Sequence, residues 1–560
     1  MKIKNLGLII IFLTIFSLWG CGRNTSKTNS QLVEDDSEQH ISTILENEPQ
    51  ILDSSKSTDS NSSQILLEVN EALTRVEEDN NGKNIVKPAG AESWEVSQDQ
   101  LKWTFYLRDN KWSDGKKVSA KDYEYGIKRT LDPAIKSQNA FLLYSIKGAK
   151  EYNISGDTYL NKLGIKAIDD KKLEITLENP CAYFLKLTSY KIMHPQRKDI
   201  VEKYGTRYGI EANTLVFNGP FLINKWDHNK EIELTKNNSY WDAKSVKLEK
   251  IIMKIGKNDT DTIDKFLNHS LDIVGNISVE WNNKTNKNNE VEILKIDEPS
   301  INCEIYNQNI KIFSNPKIRK AFSIAIDRET VSKDLFKGVY APAYGCVPPS
   351  VQIGQEGFRQ KANFEPIKEL KKEYPDPKKL LIEGLKELGM ETDTSKITVN
   401  YLQAGTDINQ RNMSEFFRKM YCKNLGINLK IEYVDYLAFQ KRIKLGEYQI
   451  ASIVWTGDYN DPSAELNLWT AGDKIIPTGW SNNVYNTLLG KANSVGENEN
   501  IERFEAFKEA ENILVCKDAV ISPIAYRSKQ ILKYKYVKGI ITPLFGPEVE
   551  LKYAYTIGKN

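Results

Sequence analysis

Apolar positions recur along this chain with two periods, two residues and three to four, and each period names an element. Gln449-Ile-Ala-Ser-Ile-Val454 is β-branched or apolar at nearly every position and predicts a buried strand. Trp455 ends it, and Asp458 follows in a Gly-containing loop closed by Pro462, which sets a carboxylate at the end of a rigid strand. Such an acid either faces a cation in a cleft or serves as a turn or helix N-cap residue. Elsewhere, Ile41–Leu45 alternates as a short strand, and Ile65, Leu66, Val69 and Leu73 predict a helix over residues 64–74. Leu101, Trp103, Phe105 and Leu107 alternate as a half-buried strand, Asp114-Gly115 supplies a turn, and Ser119 with Asp122 forms a capping box for a helix through Leu131. A capped helix is expected over residues 315–326, and helix and strand patterns alternate from Lys378 to Val454, as an α/β sheet requires.

The N-terminus carries a different signal. Lys2 and Lys4 precede a 14-residue apolar run, Leu6 to Trp19, too short for a span of about 20 residues and suited to a signal-peptide core. Leu18-Trp-Gly-Cys21 resembles a lipobox, which makes Cys21 the lipidation site; the alternative is a plain secretory signal with an incidental Cys. Residues 1–20 are then the signal peptide. Residues 21–38 are polar enough to form a flexible tether. Without Lys2 and Lys4 the basic residues equal the 75 acidic ones, so no basic face points to nucleic acid. The 560 residues suit three or four domain-sized units.

Motifs for chemistry are sparse. His40, His194, His228 and His269 stand apart, with no His-Glu-x-x-His pair, and neither a Gly-x-Ser-x-Gly elbow nor a phosphate loop occurs. Beyond Cys21, Cys181, Cys303, Cys346, Cys422 and Cys516 are odd in number and widely spaced, which fixes neither a disulfide framework nor a zinc site. No enzyme activity, cofactor or metal is expected.

A set of words resembles the peptide- and nickel-binding family of extracellular solute-binding proteins that serve ABC importers, and within it the OppA-like oligopeptide-binding lipoproteins. The words are Ala91-Glu-Ser-Trp94, Trp103-Thr-Phe105 with Leu107-Arg108, Lys111-Trp-Ser-Asp-Gly115, Leu131-Asp-Pro133, Gly164-Ile-Lys-Ala-Ile-Asp-Asp170, Asn218-Gly-Pro-Phe221, Asn238-Ser-Tyr-Trp241, Asn315-Pro-Lys-Ile-Arg319 with Ala321-Phe322, Ala325-Ile-Asp-Arg328, and Asp458-Tyr-Asn460 before Pro462. They run in the family's order from about residue 39 onward. The resemblance implies an α/β, two-lobed periplasmic-binding-protein-like fold of type II with an additional inserted domain. Lobe I would take residues 39–70, 196–301 and 526–560, the added domain 71–195, and lobe II 302–525. Crossings would fall near Pro299 to Cys303 and Pro523 to Tyr526.

It also implies a function. The chain would be a monomeric receptor on the extracytoplasmic face of the cell membrane, lipid-anchored, capturing oligopeptides and passing them to an ABC permease and ATPase complex. The same fold also serves other cargo, such as nickel chelates, haem, murein peptides or signalling peptides. A receptor for varied peptides must hold the main chain and the charged amino terminus, which every peptide has. The position matching the family's acid for the peptide ammonium is Asp458. The strand end, Val454, Trp455 and Thr456, would offer backbone groups, or else belong to a wholly internal sheet. Asn276, Glu304 and Tyr526 resemble ligand-lining positions at the lobe junction, with ordinary packing roles equally open. Ser60 falls in a loop resembling the second backbone-pairing segment. Thr456 and Ser452 stand where the best-known members carry a cysteine and an arginine, so the cross-cleft disulfide and one cation for the peptide carboxylate are absent; Arg411, Arg442 and Lys444 are candidates to replace that cation.

Overall fold

The computed structural model describes residues 35–559 apart from 80–81, 258–259, 276–280, 282–284, 286–287, 471–474 and 497–499. Cys21, the signal segment, most of the tether and Asn276 therefore lie outside the described residues.

Three main sheets organise the chain. His40–Leu45 runs parallel to Lys250–Ile255, and Glu231–Lys236 and Phe221–Asp227 complete that sheet antiparallel. The alternation that predicts the first strand is the one that buries it: Ile41 and Leu45 face a core with Ile251, Met253, Ile232 and Leu234. In a second, antiparallel sheet, Lys102–Leu107 lies between Ala91–Val96 and Lys172–Thr176. Trp103, Phe105 and Leu107 pack there against Tyr123, Ile127 and Leu131 of helix Ala120–Leu131. Ser119 donates its backbone N–H to Asp122 Oδ2 at 2.9 Å and so closes the N-terminal turn of that helix.

The third sheet spans the molecule. Val291–Tyr306 and Ile521–Tyr534 pair over nearly their whole lengths, with Ile450–Thr456, Thr398–Ala404 and Asn428–Val434 added beyond them. Helices Pro377–Glu387, Ile408–Leu425 and Tyr436–Leu445 alternate with those last strands, as the periodicity predicts. Helix Pro316–Ala325 starts where Asn315 accepts from the backbone N–H of Lys317 at 2.8 Å. The long pair breaks register between Asp297 and Ile301 and again between Asn302 and Cys303. Val291–Tyr306 changes there from half-exposed to buried throughout.

Two expectations need correction. The helix predicted over 64–74 is Ser60–Val69, opened by Asp59, which accepts from Ser62 N–H at 2.7 Å, and ended at Asn70. Leu73 is buried at helical spacing by accident, because its carbonyl accepts from Ala89 and Ala91 while Thr74–Glu78 forms a strand. Ser60 is accordingly the first residue of a helix and not part of a loop. The strand at 449–454 is Ile450–Thr456 and is buried at Ile450, Ala451 and Ile453 but open from Val454, which is 53% exposed, to its end.

Candidate functional site

The carboxyl end of Ile450–Thr456 leaves the sheet where the long pair breaks register. One edge of this strand is paired throughout with 300–306. Its other edge pairs with Thr398–Ala404 only at Ile450 and Ala451, so from Ser452 to Thr456 that edge has no strand partner among the described residues. Ser300 ties the paired side down: its hydroxyl lies 2.9 Å from Thr456 Oγ1 and donates to the Trp455 carbonyl at 3.2 Å. Gly457 then donates to the Pro299 carbonyl at 2.8 Å. A Cβ on residue 457 would stand 2.5 Å from Glu465 Oε1, so any larger residue there would have to displace the Glu465 carboxyl.

The loop beyond is fixed from behind. Asp461 makes two bonds to the Arg503 guanidinium, at 2.9 and 3.0 Å, and accepts from Ser463 Oγ at 2.7 Å; both charged side chains are almost fully buried. Trp455 Nε1 donates to the Ala464 carbonyl at 3.1 Å, and Asn460 Oδ1 accepts from Gln352 N–H at 2.8 Å. The turn and capping duties that the sequence leaves open for Asp458 thus fall to Asp461, which satisfies Ser463 N–H at 3.1 Å. Asp458 itself makes no hydrogen bond or ion pair with any described residue.

Its carboxylate opens instead into two cavities. One, of about 440 Å³, is walled by helix Ser60–Val69, by Tyr190 and Lys191, by residues 296–299 of the long strand, by Thr456 to Asp458 and by residues 543–547. The other, of about 650 Å³, lies between the segment 141–183 and the loop 455–468. Asp458 and Leu142 line both. Asp458 is exposed at the mouth of the cleft, yet the surrounding walls desolvate its carboxyl enough to raise it above the ordinary range, and Tyr190 stands in its field. The Tyr183 and Tyr459 rings stack at 4.1 Å, and Lys186 Nζ donates to the Asn460 carbonyl at 2.8 Å, which closes the second sheet's unit over the loop. Beneath the smaller cavity, Arg75 is paired with both Glu71 and Glu550 in nearly complete burial.

The expected site residues divide. Asp458, Thr456 and Ser60 line the smaller cavity, and Trp455 lines the larger with Asp458. Val454 is exposed but borders neither. Tyr526 is flanked by Ile301 on one side and Ala341 on the other, and its hydroxyl is used by Gly345, donating to the carbonyl at 2.9 Å; it belongs to a core and not to the cleft. Glu304 is corrected too, because strand alternation turns it inward, fully buried, where Tyr421 donates to Oε2. Arg411, Arg442 and Lys444 lie away from both cavities. Arg411 Nε donates to the Thr406 carbonyl at 3.0 Å, and Arg442 pairs with Glu432 at 2.7 Å. Sequence reasoning missed Tyr190, Lys191 and Arg503, which reach the site from distant segments with no local motif.

Glu304 has a testable consequence. Burial, only partly opposed by the Tyr421 hydrogen bond, raises its carboxyl from 4.5 to about 7. A raised carboxyl stabilises the fold below its unfolded value, and that contribution is lost as pH rises towards 7. Glu304→Gln should therefore gain melting temperature relative to the parent between pH 4.5 and 8, and a difference that does not change with pH would contradict this placement.

Comparison with known proteins agrees with this architecture. The profile of the bacterial extracellular solute-binding proteins, family 5 Middle, matches residues 86–476. The oligopeptide-binding protein OppA of Bacillus subtilis is 31% identical over 562 residues, covering 98% of each chain. The structure of Listeria monocytogenes OppA bound to peptide superposes with a TM-score of 0.71 at 28% identity, covering 93% of this chain and 99% of that one. At 24% identity, the murein tripeptide-binding protein MppA in its unliganded open form gives a TM-score of 0.77 over 93% of this chain and 98% of its own, a likeness of fold. The fold is thus the two-lobed α/β type of these binding proteins, and the chain belongs to the bacterial extracellular solute-binding proteins of family 5, in its OppA-like peptide-binding branch.

Proposed function

We propose that this protein captures oligopeptides between its two lobes and delivers them to an ABC importer from a lipid anchor at Cys21 on the outer face of the membrane. The observation that carries the reading is Asp458: a carboxylate without a partner among the described residues, held at the end of a strand with a free edge and facing a cavity walled from both sides. An extended peptide would pair its main chain with residues 452–456 and set its ammonium on Asp458, so that affinity depends little on side chains. Both walls would contact the ligand together only when closed, which ties binding to closure. The register breaks at 297–303 support hinges there, and with them the division into residues 39–70, 196–301 and 526–560, the added domain 71–195, and 302–525. The apolar run before Cys21 supports the anchor.

Mass analysis of small molecules retained through purification tests the cargo class: peptides are expected, and a nickel chelate, haem or no retained peptide after co-expression with a peptide pool would oppose it. The raised Asp458 carboxyl adds a pH signature. Only the ionised form attracts an ammonium, so affinity for free-amine peptides should fall on acidification, starting above the ordinary carboxylate range. Titration calorimetry of the parent and of Asp458→Asn across pH 4 to 7 would show it, with the variant flat.

A further inference from the structure

The smaller cavity is lined by three side chains with permanent or near-permanent positive charge: Arg75, Lys191 and Lys529. Arg75 is taken by Glu71 and Glu550. Lys529 has Glu548 in its field, and its charge opposes the burial that raises that carboxyl. Lys191 differs. Its Nζ donates to Ser63 Oγ at 2.7 Å, and it has no ion pair within 4.0 Å among the described residues. The acid whose charge acts on it is Asp59, whose Oδ1 accepts from Ser62 N–H at 2.7 Å and whose Oδ2 is buried without a hydrogen-bond partner, so Asp59 acts on Lys191 through its field and not as an ion pair.

Lys191 therefore lines the same cavity as Asp458 and makes no ion pair with Asp458 or with any other carboxylate among the described residues. Both line one cavity, and neither acts on the titration of the other, so they do not neutralise each other. A ligand that carries both signs would satisfy both. We propose that Lys191 receives a carboxylate of the bound ligand and so makes this receptor prefer peptides that place an anion inside the cleft. This rests on the peptide-receptor reading. The anion has two sources of one chemistry: the terminal carboxylate of a short peptide, or an acidic side chain of a longer one. Burial lowers the Lys191 ammonium to about 8, a desolvation that an incoming carboxylate would offset. Lys191 follows Tyr190, which stands near Asp458, on a short turn at residues 191–193. The added domain would in that case supply the anion site, while the strand end supplies the cation site.

The test is titration calorimetry with alanine peptides of three to six residues, each as free acid and as C-terminal amide. A second set of amides carries Glu or Gln at each position. For the terminal source, one length should bind the parent at least tenfold more weakly once amidated. For the side-chain source, Glu at one position should bind at least tenfold more tightly than Gln. In either case Lys191→Met should bring the two partners of the pair within twofold, while Lys191→Arg should keep the difference. The proposal is overturned if the parent shows neither discrimination, or if Lys191→Met leaves it intact. N-acetylated versions separate this from the amine anchor: indifference to acetylation with the Lys191 effect intact removes the Asp458 role alone. Failure of the parent to bind any peptide removes both.

Discussion

Asp458→Asn is expected to weaken binding of free-amine peptides by about 10- to 100-fold, while N-acetylated peptides change by less than about threefold. The amide keeps the shape of the side chain and its place at the strand end, and removes only the charge. A hydrogen bond to a charged group contributes about 1.5–3 kcal/mol, which sets the range. The effect is large because the carboxylate has no competing partner among the described residues: Arg503 is committed to Asp461, and Lys186 to the Asn460 carbonyl. A second acid, Glu465, lies behind Gly457, and burial together with the charges of Asp461 and Asp458 pushes its carboxyl well up. That shift disfavours its ionised form, so it would substitute poorly for the lost charge. Calorimetry with one peptide in acetylated and free forms measures both arms, and equal losses for the two would remove the anchor role.

The largest stability effect should come from Arg503→Met. This residue is 1% exposed, and its guanidinium holds the Asp461 carboxylate with two bonds while Nε donates to the Ala492 carbonyl at 2.8 Å. Removing the cation leaves a buried carboxylate with only the Ser463 hydroxyl and N–H for support, a loss of about 3–5 kcal/mol. Asp461 also anchors the loop that carries Asp458, so peptide affinity should fall with stability. Replacing both partners, as Arg503→Met with Asp461→Leu, should restore much of the stability, because it is the unpaired charge that costs most. Thermal unfolding of the single and double variants checks this; additive losses would show that the pair is not coupled.

The site was half legible before the structure. The strand before Trp455 and the acid after it form one short apolar run with a turn, a local pattern in which sequence order and spatial order coincide. The capping box at Ser119 and the alternation through Trp103 and Phe105 are of the same kind. What sequence order hides is the partner across a cavity. Tyr190 and Lys191 lie more than 260 residues before Asp458, and only the packing of residues 183–191 on the loop brings them near it. Strand alternation misled in the other direction. Glu304 and Tyr526 are expected beside the lobe crossings, yet one turns inward onto Tyr421 and the other is paired on both edges, and a single residue of register decides which face each takes. Leu73 imitates a helical position because strand pairing buries it at the same spacing.

In the proposed mode of binding, a peptide's positive end rests on Asp458 within the closed cleft. A structure with a bound free-amine peptide tests it most directly. The ammonium should lie about 2.7–2.9 Å from an Asp458 carboxylate oxygen, with the peptide main chain along residues 452–456. A bound peptide whose amino terminus points to solvent, with Asp458 hydrated and unpaired, would contradict it.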